Sequence, residues 1–520
     1  MAAPNATPNA SFGPSSGALP PGFRHLSVAH GIRAAMRRAP DKVALRFGEQ
    51  QRSYRQLVAR MDRLANAAQG LGLAPGDHAA LIARNSLDYV EIVCGLPQAG
   101  VAVATVNPRL SAQEMRDICN DARARIIIAD AASADLVRDL KFETVERVIE
   151  LGDAYEALLA RASDRVPAVA VQEWAPWTIP YTSGTTGRPK GVLISHRSRA
   201  LTLFGMAGEY GCYSPEDSFL AIAPMNHGAG IVFPLGALFF GGTAEIMDRF
   251  DPDAVLARLH DGRHTGIFMV PTHFHGLFDL DARTLDARRD LALKTIISNA
   301  APLPQTTKER AVDYFGEGIL HETYGSTEAG IVTNLRPPDQ LRKQRCVGQP
   351  FVDTLVELRG ADGAECAPGE VGELFSLSPY LFNGYWQRPE ETERALDDGW
   401  VTVGDMAVRD EEGYIYIVDR KKDMVISGGV NIYPREIEEV LLSHPAVADA
   451  AVVGVPDDKW GERLKAFLVL QPGMRADAAD ILSICDGRLA DYKKPKDTAI
   501  LDMLPRNANG KVLKTELRQM

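Results

Sequence analysis

Tyr181-Thr-Ser-Gly-Thr-Thr-Gly-Arg-Pro-Lys190-Gly191 is the stretch on which the reading of this chain turns. A loop so rich in glycine and hydroxyl residues can bring backbone N–H groups close to phosphate oxygens, and Lys190 adds a positive charge suited to a polyphosphate. It is not a Walker A loop. Counted from Gly184, that pattern needs Gly, Lys and Ser or Thr at 189–191, where this chain has Pro189, Lys190 and Gly191. A P-loop nucleotidase is therefore disfavoured, and read alone the run also fits a flexible turn.

Outward from this loop, short β-rich runs alternate with helical stretches. Arg125 to Ala129, Phe219 to Ala223, Thr243 to Met247, Gly266 to Val270 and Lys294 to Ser298 read as strands, which predicts parallel sheets covered by helices. Upstream, Ser53 and Gln56 form a capping box ahead of Leu57, Met61, Leu64, Ala68 and Leu71 at helical spacing, and Gly72 and Pro75 end that helix. After Leu355 the strand-like runs Leu355 to Leu358, Gly372 to Leu377 and Tyr414 to Val418 are separated by Gly- and Asp-rich turns, predicting an antiparallel β subdomain. Asp419-Arg-Lys-Lys-Asp423 interrupts the pattern. Pro434 then opens a helix with Ile437, Val440 and Leu441 on one face, and Ala451 to Val455 and Leu464 to Leu470 read as strands of a small α+β domain. The predicted division is a disordered Ala/Pro/Asn/Ser/Gly tail over 1–24, a large α/β domain over 25–420, and a C-terminal domain over 421–520.

The chain has 520 residues, 45% of them apolar and 24% charged, with a net charge of -11. That length exceeds what one hydrophobic core supports, and the acidic balance argues against a general nucleic-acid binder. Ile231 to Gly242 is too short to span a bilayer and holds Pro234 and Gly236, so it reads as buried core. The start lacks the basic and apolar regions of a signal peptide. Cys94, Cys119, Cys212, Cys346, Cys366 and Cys485 are scattered, with no CxxC pair, which suggests reduced structural thiols and a cytoplasmic location.

YTSGTTGRPKG resembles the signature loop of the adenylate-forming superfamily, which includes acyl-CoA synthetases, peptide-synthetase adenylation domains and firefly-type luciferases. Tyr324-Gly-Ser-Thr-Glu328 resembles its adenine and magnesium motif, Gly404-Asp405 its ribose motif, Asp419-Arg420 with Lys422-Asp423 its hinge motif, and Pro505-Arg-Asn-Ala-Asn-Gly510-Lys511 its C-terminal lysine motif. The resemblance runs from about residue 30 to the C-terminus, with five motifs in one order. It implies an AMP-forming acid–CoA ligase with ATP, Mg2+ and coenzyme A, and a C-terminal domain that rotates after adenylation.

The resemblance also assigns roles. Thr182, Ser183, Gly184, Thr185, Thr186, Gly187 and Lys190 would cradle phosphates, and Ala300, Ala301, Pro302, Glu322, Thr323, Tyr324, Gly325, Ser326 and Thr327 would complete the nucleotide site. Thr327 would hydrogen-bond the α-phosphate, while Glu328, with Thr186, would hold Mg2+, an oxygen-seeking ion that takes few protein ligands. Read alone, Thr327 and Glu328 could equally cap a helix starting after Gly325. Asp405 can accept both ribose hydroxyls, supported by Arg420, although a turn Asp after Gly is the plain alternative. Lys511 would bridge the substrate carboxylate and the α-phosphate; an isolated Lys in that place would be a solvated charge. Lys422 would be the hinge. Gly428 and Gly429 would leave room for pantetheine, and Lys493, Lys494 and Lys496 could meet the phosphates of coenzyme A or form only a solvated basic run.

The acid pocket would be lined by His227, which also counts among the catalytic candidates, with Gly228, Ala229, Met269, Asn299, Gly330 and Ile331. Pro224-Met-Asn-His227 lacks the aromatic residue often found before that His, and Asn299-Ala300-Ala301-Pro302 replaces the usual Gly-Gly-Ala. The small residues suggest space, and Asn299 and Thr323 could bond a polar substituent, so the acid reads as aryl, cyclic or medium-chain. A long-chain fatty acid, transfer to a carrier protein, and a non-catalytic nucleotide-binding regulator are the alternatives; a homodimer is compatible with all of them. Lys511→Ala should lower pyrophosphate exchange by roughly a thousandfold while ATP binding stays measurable by calorimetry.

Overall fold

The computed structural model describes residues 25–183, 189–506 and 512–520. The chain divides into two compact units: one runs to Val356 and adds Ser376–Val401, and the other comprises Glu357–Phe375 and Thr402–Met520.

Two largely parallel sheets build the first unit. In one, Leu320–Ser326, Thr295–Ser298, Gly266–Met269, Ser218–Ala221, Thr243–Ile246 and Val43–Phe47 lie side by side in that order. Their pairing is parallel, through Ile296↔Leu320, Gly266↔Thr295, Phe219↔Gly266, Phe219↔Ala244 and Leu45↔Ala244. Antiparallel strands complete both sides, Gly330–Leu335 and then Gln349–Pro350 beyond Leu320–Ser326, and Gln50–Ser53 beside Val43–Phe47. The second sheet orders Arg147–Glu150, Ala124–Ala129, His78–Ile82, Ala102–Val106 and Pro176–Ser183, also in parallel.

The five predicted strands all form, within a residue or two of their expected ends. His78–Ile82 and Ala102–Val106 are fully buried strands that were not anticipated. Their alanines weaken the β signal, and burial on both faces removes the alternation that marks a half-exposed strand. The buried segment at 231–242 is a helix, Gly228–Phe240, ended by Gly241 at φ +97°. Its Gly236 is required by packing, since a Cβ there would come within 2.8 Å of the Tyr213 ring.

In the second unit, Val371–Leu377 pairs antiparallel with Asp405–Arg409, and that strand with Ile415–Arg420. A further sheet orders Val430–Ile432, Val425–Ser427, Gly461–Leu470 and Val447–Asp457, with Asp497–Ile500 parallel to Gly461–Leu470. Helix Pro434–Leu442 buries Ile437 and Leu441 in this unit's core, with Val440 packed against it. Its N-terminus is capped from a distance: Arg435 N–H donates to Asp419 Oδ2 at 2.9 Å, placing a carboxylate where the helix dipole favours one.

Among the described residues no helix is long and apolar enough to cross a membrane. Of the six cysteines, Cys366 is half-buried and the others are buried. The capping box stands as expected, with Gln56 N–H donating to Ser53 Oγ at 3.3 Å and Ser53 N–H to Gln56 Oε1 at 2.8 Å. Ser53→Ala should therefore lower the stability of the first unit by about 1 kcal/mol, read as a shift in its chemical-denaturation midpoint.

Candidate active site

Parallel strands deliver their carboxyl ends to one edge, and ligands in such sheets bind beyond that edge. Four neighbours end there: Ser218–Ala221 leads to His227, Gly266–Met269 ends on Met269, Thr295–Ser298 leads to Asn299, and Leu320–Ser326 carries Thr323. Sequence-distant candidates are thereby brought together by strand order alone.

The loop before His227 is pinned by Asn85, from the loop after strand His78–Ile82, and by Thr105, on strand Ala102–Val106. Asn85 donates to Ala223 O and Met247 O, each at 3.0 Å, and its Oδ1 accepts from Met225 N–H at 2.8 Å. Thr105 Oγ1 donates to Asn226 O at 3.3 Å. Gly230 is required for the tight return, because a Cβ there would lie 2.0 Å from Pro224 O. His227 sits at the N-cap of Gly228–Phe240 with no side-chain capping bond. Burial, aided by the Arg109 guanidinium, holds its imidazole below the usual pKa, so it is neutral at pH 7. A Cβ added at Gly228 would meet nothing within 4 Å apart from its chain neighbours, so the backbone at Gly228 borders open space.

Asn299 and Thr323 face each other, Asn299 Nδ2 donating to Thr323 Oγ1 at 2.7 Å, while Ala300 N–H bonds back to Asn299 Oδ1. Ala300 stands at φ +76°, in the left-handed region where a glycine is usual. Met269 is fully buried in the hydrophobic core, and Ile331 is buried on the antiparallel strand beside Leu320–Ser326.

Thr327 to Ala329 form the turn of a β-hairpin between Leu320–Ser326 and Gly330–Leu335, so the helix cap entertained for Thr327 and Glu328 is absent here. Ser326 Oγ accepts from Ala329 N–H at 3.0 Å. Gly325 is dictated by contact, a Cβ there falling 2.0 Å from Gly330 O, and Gly330 itself stands at φ +72°. Glu322, in contrast, is committed elsewhere: it forms a buried ion pair with Lys308, and its Oε1 accepts from Leu303 N–H at 3.0 Å. The half-buried Tyr324 also lies on this strand.

The flanks of the Gly/Thr loop form a short hairpin, with Tyr181↔Gly191, Thr182↔Lys190 and Ser183↔Pro189 opposed. Gly184, Thr185, Thr186 and Gly187 lie outside the described residues, as does Lys511. Lys190 is ion-paired to Glu391, and its Nζ lies 5.2 Å from the centre of the Tyr385 ring. Tyr385 Oη donates to Glu328 Oε1 at 2.8 Å. Burial first, then the Glu328 charge, push the Tyr385 phenol well above its ordinary pKa, so it stays a donor.

Tyr385 and Glu391 are site residues that the sequence reading missed. Their segment is stitched to the signature hairpin by Leu193 N–H to Gly384 O at 3.0 Å, Trp386 N–H to Gly191 O at 2.8 Å and Asn383 N–H to Leu193 O at 2.8 Å. The available signal was Gly384 at φ +116° inside Asn383-Gly-Tyr-Trp386, a tight bend with aromatics before Pro389.

Glu328 is the residue suited to a metal: a buried carboxylate, with no group of three or more His, Cys, Asp or Glu beside it to form a cage among the described residues. That donor set fits an ion that arrives with substrate phosphates, as Mg2+ does.

In the second unit Asp405 is buried opposite Arg420 in the strand pair, with Arg420 Nε 3.4 Å from Asp405 Oδ1. Burial lowers the Lys422 amine's pKa, opposed by Asp423. Gly428 and Gly429, at φ +60° and +81°, form the two-residue turn between Val425–Ser427 and Val430–Ile432. A Cβ on Gly428 would meet the Trp460 ring at 2.8 Å, while one on Gly429 would meet nothing within 4 Å. Of the basic run, Lys493 pairs with Glu436 at 2.6 Å, Lys494 with Asp486 and Asp491, and Lys496 lies over the Trp460 ring.

The chain matches the family model described as AMP-binding enzyme over residues 32–386, and that of the AMP-binding enzyme C-terminal domain over 436–511. It is 36% identical to a feruloyl-CoA synthase from an Amycolatopsis species, covering 93% of this chain and 96% of that protein. It is 34% identical to an indoleacetate–CoA ligase from Aromatoleum aromaticum, covering 92% and 95%. Among solved structures it resembles o-succinylbenzoate CoA synthetase from Bacillus subtilis bound to its acyl-adenylate intermediate, at TM-score 0.84 and 29% identity over 94% of this chain and 97% of that one. ATP-bound MatB from Rhodopseudomonas palustris gives 0.86 and 30%, over 94% and 98%.

Lys308→Met should leave Glu322 buried without its counter-ion and cost about 3–5 kcal/mol, measured by equilibrium denaturation. The double substitution Lys308→Met with Glu322→Gln should recover most of that loss.

Proposed function

The chain belongs to the AMP-binding enzyme family, and on that premise we propose that the acid it activates is an aromatic carboxylate. It is an AMP-forming acid–CoA ligase that uses ATP, Mg2+ and coenzyme A. The acid's carboxylate attacks the α-phosphorus and the bond to the β-phosphate oxygen breaks, giving acyl-AMP and pyrophosphate. The thiol of coenzyme A then attacks the acyl carbon, loses its proton and releases AMP.

The observation that carries the aromatic reading is the polar pair Asn299–Thr323 at the strand ends, set on the same edge as Gly228, whose missing side chain leaves open space. Gly228 and Ala229 would leave room for a flat ring, and a substituent on it would bond the amide of Asn299. The names of the relatives, feruloyl, indoleacetate and o-succinylbenzoate, all denote aromatic acids and support the same class.

In this reading the neutral His227 borders the carboxylate without adding charge. Thr327 donates to the α-phosphate, Asp405 accepts from the ribose with Arg420 beside it, and Lys511 supplies the ammonium that offsets charge at phosphorus. Mg2+ held by Glu328 would neutralise phosphate oxygens. Lys422 would lie at the pivot for rotation of the C-terminal domain, with Gly428 and Gly429 on the face offered to pantetheine. A cytoplasmic location is in keeping with six scattered cysteines that include no CxxC pair.

A panel of acids tests the proposal through thioester formation. Hydroxycinnamate or indole-3-acetate should exceed acetate and palmitate in kcat/KM by more than about tenfold; a maximum at acetate or palmitate would refute the aromatic assignment. AMP release with coenzyme A but not with a phosphopantetheinylated carrier protein should accompany it.

A further inference from the structure

Lys190 carries the only ammonium of the signature loop, and in this structure that ammonium is already engaged. It is ion-paired with Glu391, and its Nζ also lies over the Tyr385 ring. The pair is well covered, with side-chain exposures of 14% for Lys190 and 26% for Glu391, and Glu391 Oε2 is shielded from water where it faces Lys190. Tyr385 ties the arrangement to the metal candidate, because its hydroxyl donates to Glu328. A row of side chains thus runs Glu391, Lys190, Tyr385, Glu328, all in the first unit, linking the loop's cation to the carboxylate suited to Mg2+.

Glu391 reaches Lys190 because its short helix, Pro389–Ala395, is fixed at its start. Thr392 Oγ1 accepts from Tyr385 N–H at 2.9 Å and donates to Arg388 O at 2.8 Å, and Arg388 pairs with Asp121 at 2.6 Å. Asp121 in turn accepts from the Tyr181 hydroxyl at 2.8 Å, on the strand that opens the signature loop. The carboxylate of Glu391 is therefore held in register with Lys190 by contacts on both flanks of the hairpin.

We propose that Glu391 is a positioning residue that stands in for the triphosphate: its carboxylate occupies the Lys190 ammonium before nucleotide binds and must be displaced by the phosphate oxygens of ATP. A carboxylate and a phosphate compete for one cation, so the ion pair subtracts from the affinity for any ligand that brings a polyphosphate to Lys190. The same competition favours pyrophosphate departure, since Glu391 recaptures Lys190 as the product leaves. AMP has no β- or γ-phosphate and does not contest the pair. This inference rests on the adenylation reading only in taking Lys190 to be a phosphate ligand.

Equilibrium titration of the full chain with MgATP, magnesium pyrophosphate and AMP, without acid or coenzyme A, tests it. Glu391→Gln should tighten MgATP and pyrophosphate by about fivefold, the factor expected for losing a competing ion pair worth about 1 kcal/mol, with AMP unchanged. Glu391→Asp, which keeps the charge, should return both polyphosphate affinities toward wild type, and in turnover Glu391→Gln should lower KM for ATP and raise sensitivity to product pyrophosphate. Unchanged or weaker polyphosphate binding in Glu391→Gln, or an AMP affinity that moves by the same factor, overturns the proposal. If wild type binds MgATP but the variant binds it no better, this inference alone falls; if wild type binds no MgATP, the adenylation reading falls with it.

Discussion

Parallel register across four neighbouring strands is the constraint on which the site depends. Because Leu320–Ser326, Thr295–Ser298, Gly266–Met269 and Ser218–Ala221 run the same way, their carboxyl ends share one edge. A slip of one residue in any of them would turn Thr323 or Met269 to the opposite face of the sheet. Helices and loops complete the arrangement but do not create it. Asn85, from the loop after His78–Ile82, and Thr105, on Ala102–Val106, only pin the His227 loop in a position that the strand order has already chosen.

Charge is managed in two distinct ways in the first unit. Glu322 and Lys308 neutralise each other deep in the structure, where an unpaired ion would be costly, and that pair is structural. Glu328, Tyr385, Lys190 and Glu391 form a chain of contacts that runs from the hairpin turn after Leu320–Ser326 to the strand carrying Lys190 and the helix carrying Glu391. The difference is exposure: Lys308 is 1% exposed and Lys190 14%. On the proposed reading, a site that must accept a polyphosphate needs its cation reachable, and Glu391 would keep that cation oriented until the ligand comes.

The second unit shows how a charged interruption acquires two uses. Asp419 looks in sequence like part of a solvated run, yet its carboxylate caps helix Pro434–Leu442 through Arg435 N–H. Arg420, its neighbour, faces Asp405 across the strand pair instead. Alternation along a strand separates them, so adjacent residues serve opposite faces. Farther on, Gly428 and Gly429 meet the backbone demands of a two-residue hairpin, and Gly428 also leaves room for the Trp460 ring.

Local patterns were legible in the sequence wherever the chemistry is local. The capping box at Ser53 and Gln56, the five strands, the apolar face of Ile437 and Leu441, and the ordered motifs from Tyr181 to Lys511 each depend on residues close together in the chain. Tertiary structure decided what depends on distant partners: that Thr327 and Glu328 form a hairpin turn, that Glu322 is committed to Lys308, and that Tyr385 and Glu391 stand beside Glu328 and Lys190. The physical reason is that spacing along the chain encodes backbone periodicity and turn geometry, whereas the partner of a charge is set by which strands lie side by side, and no local pattern specifies that order.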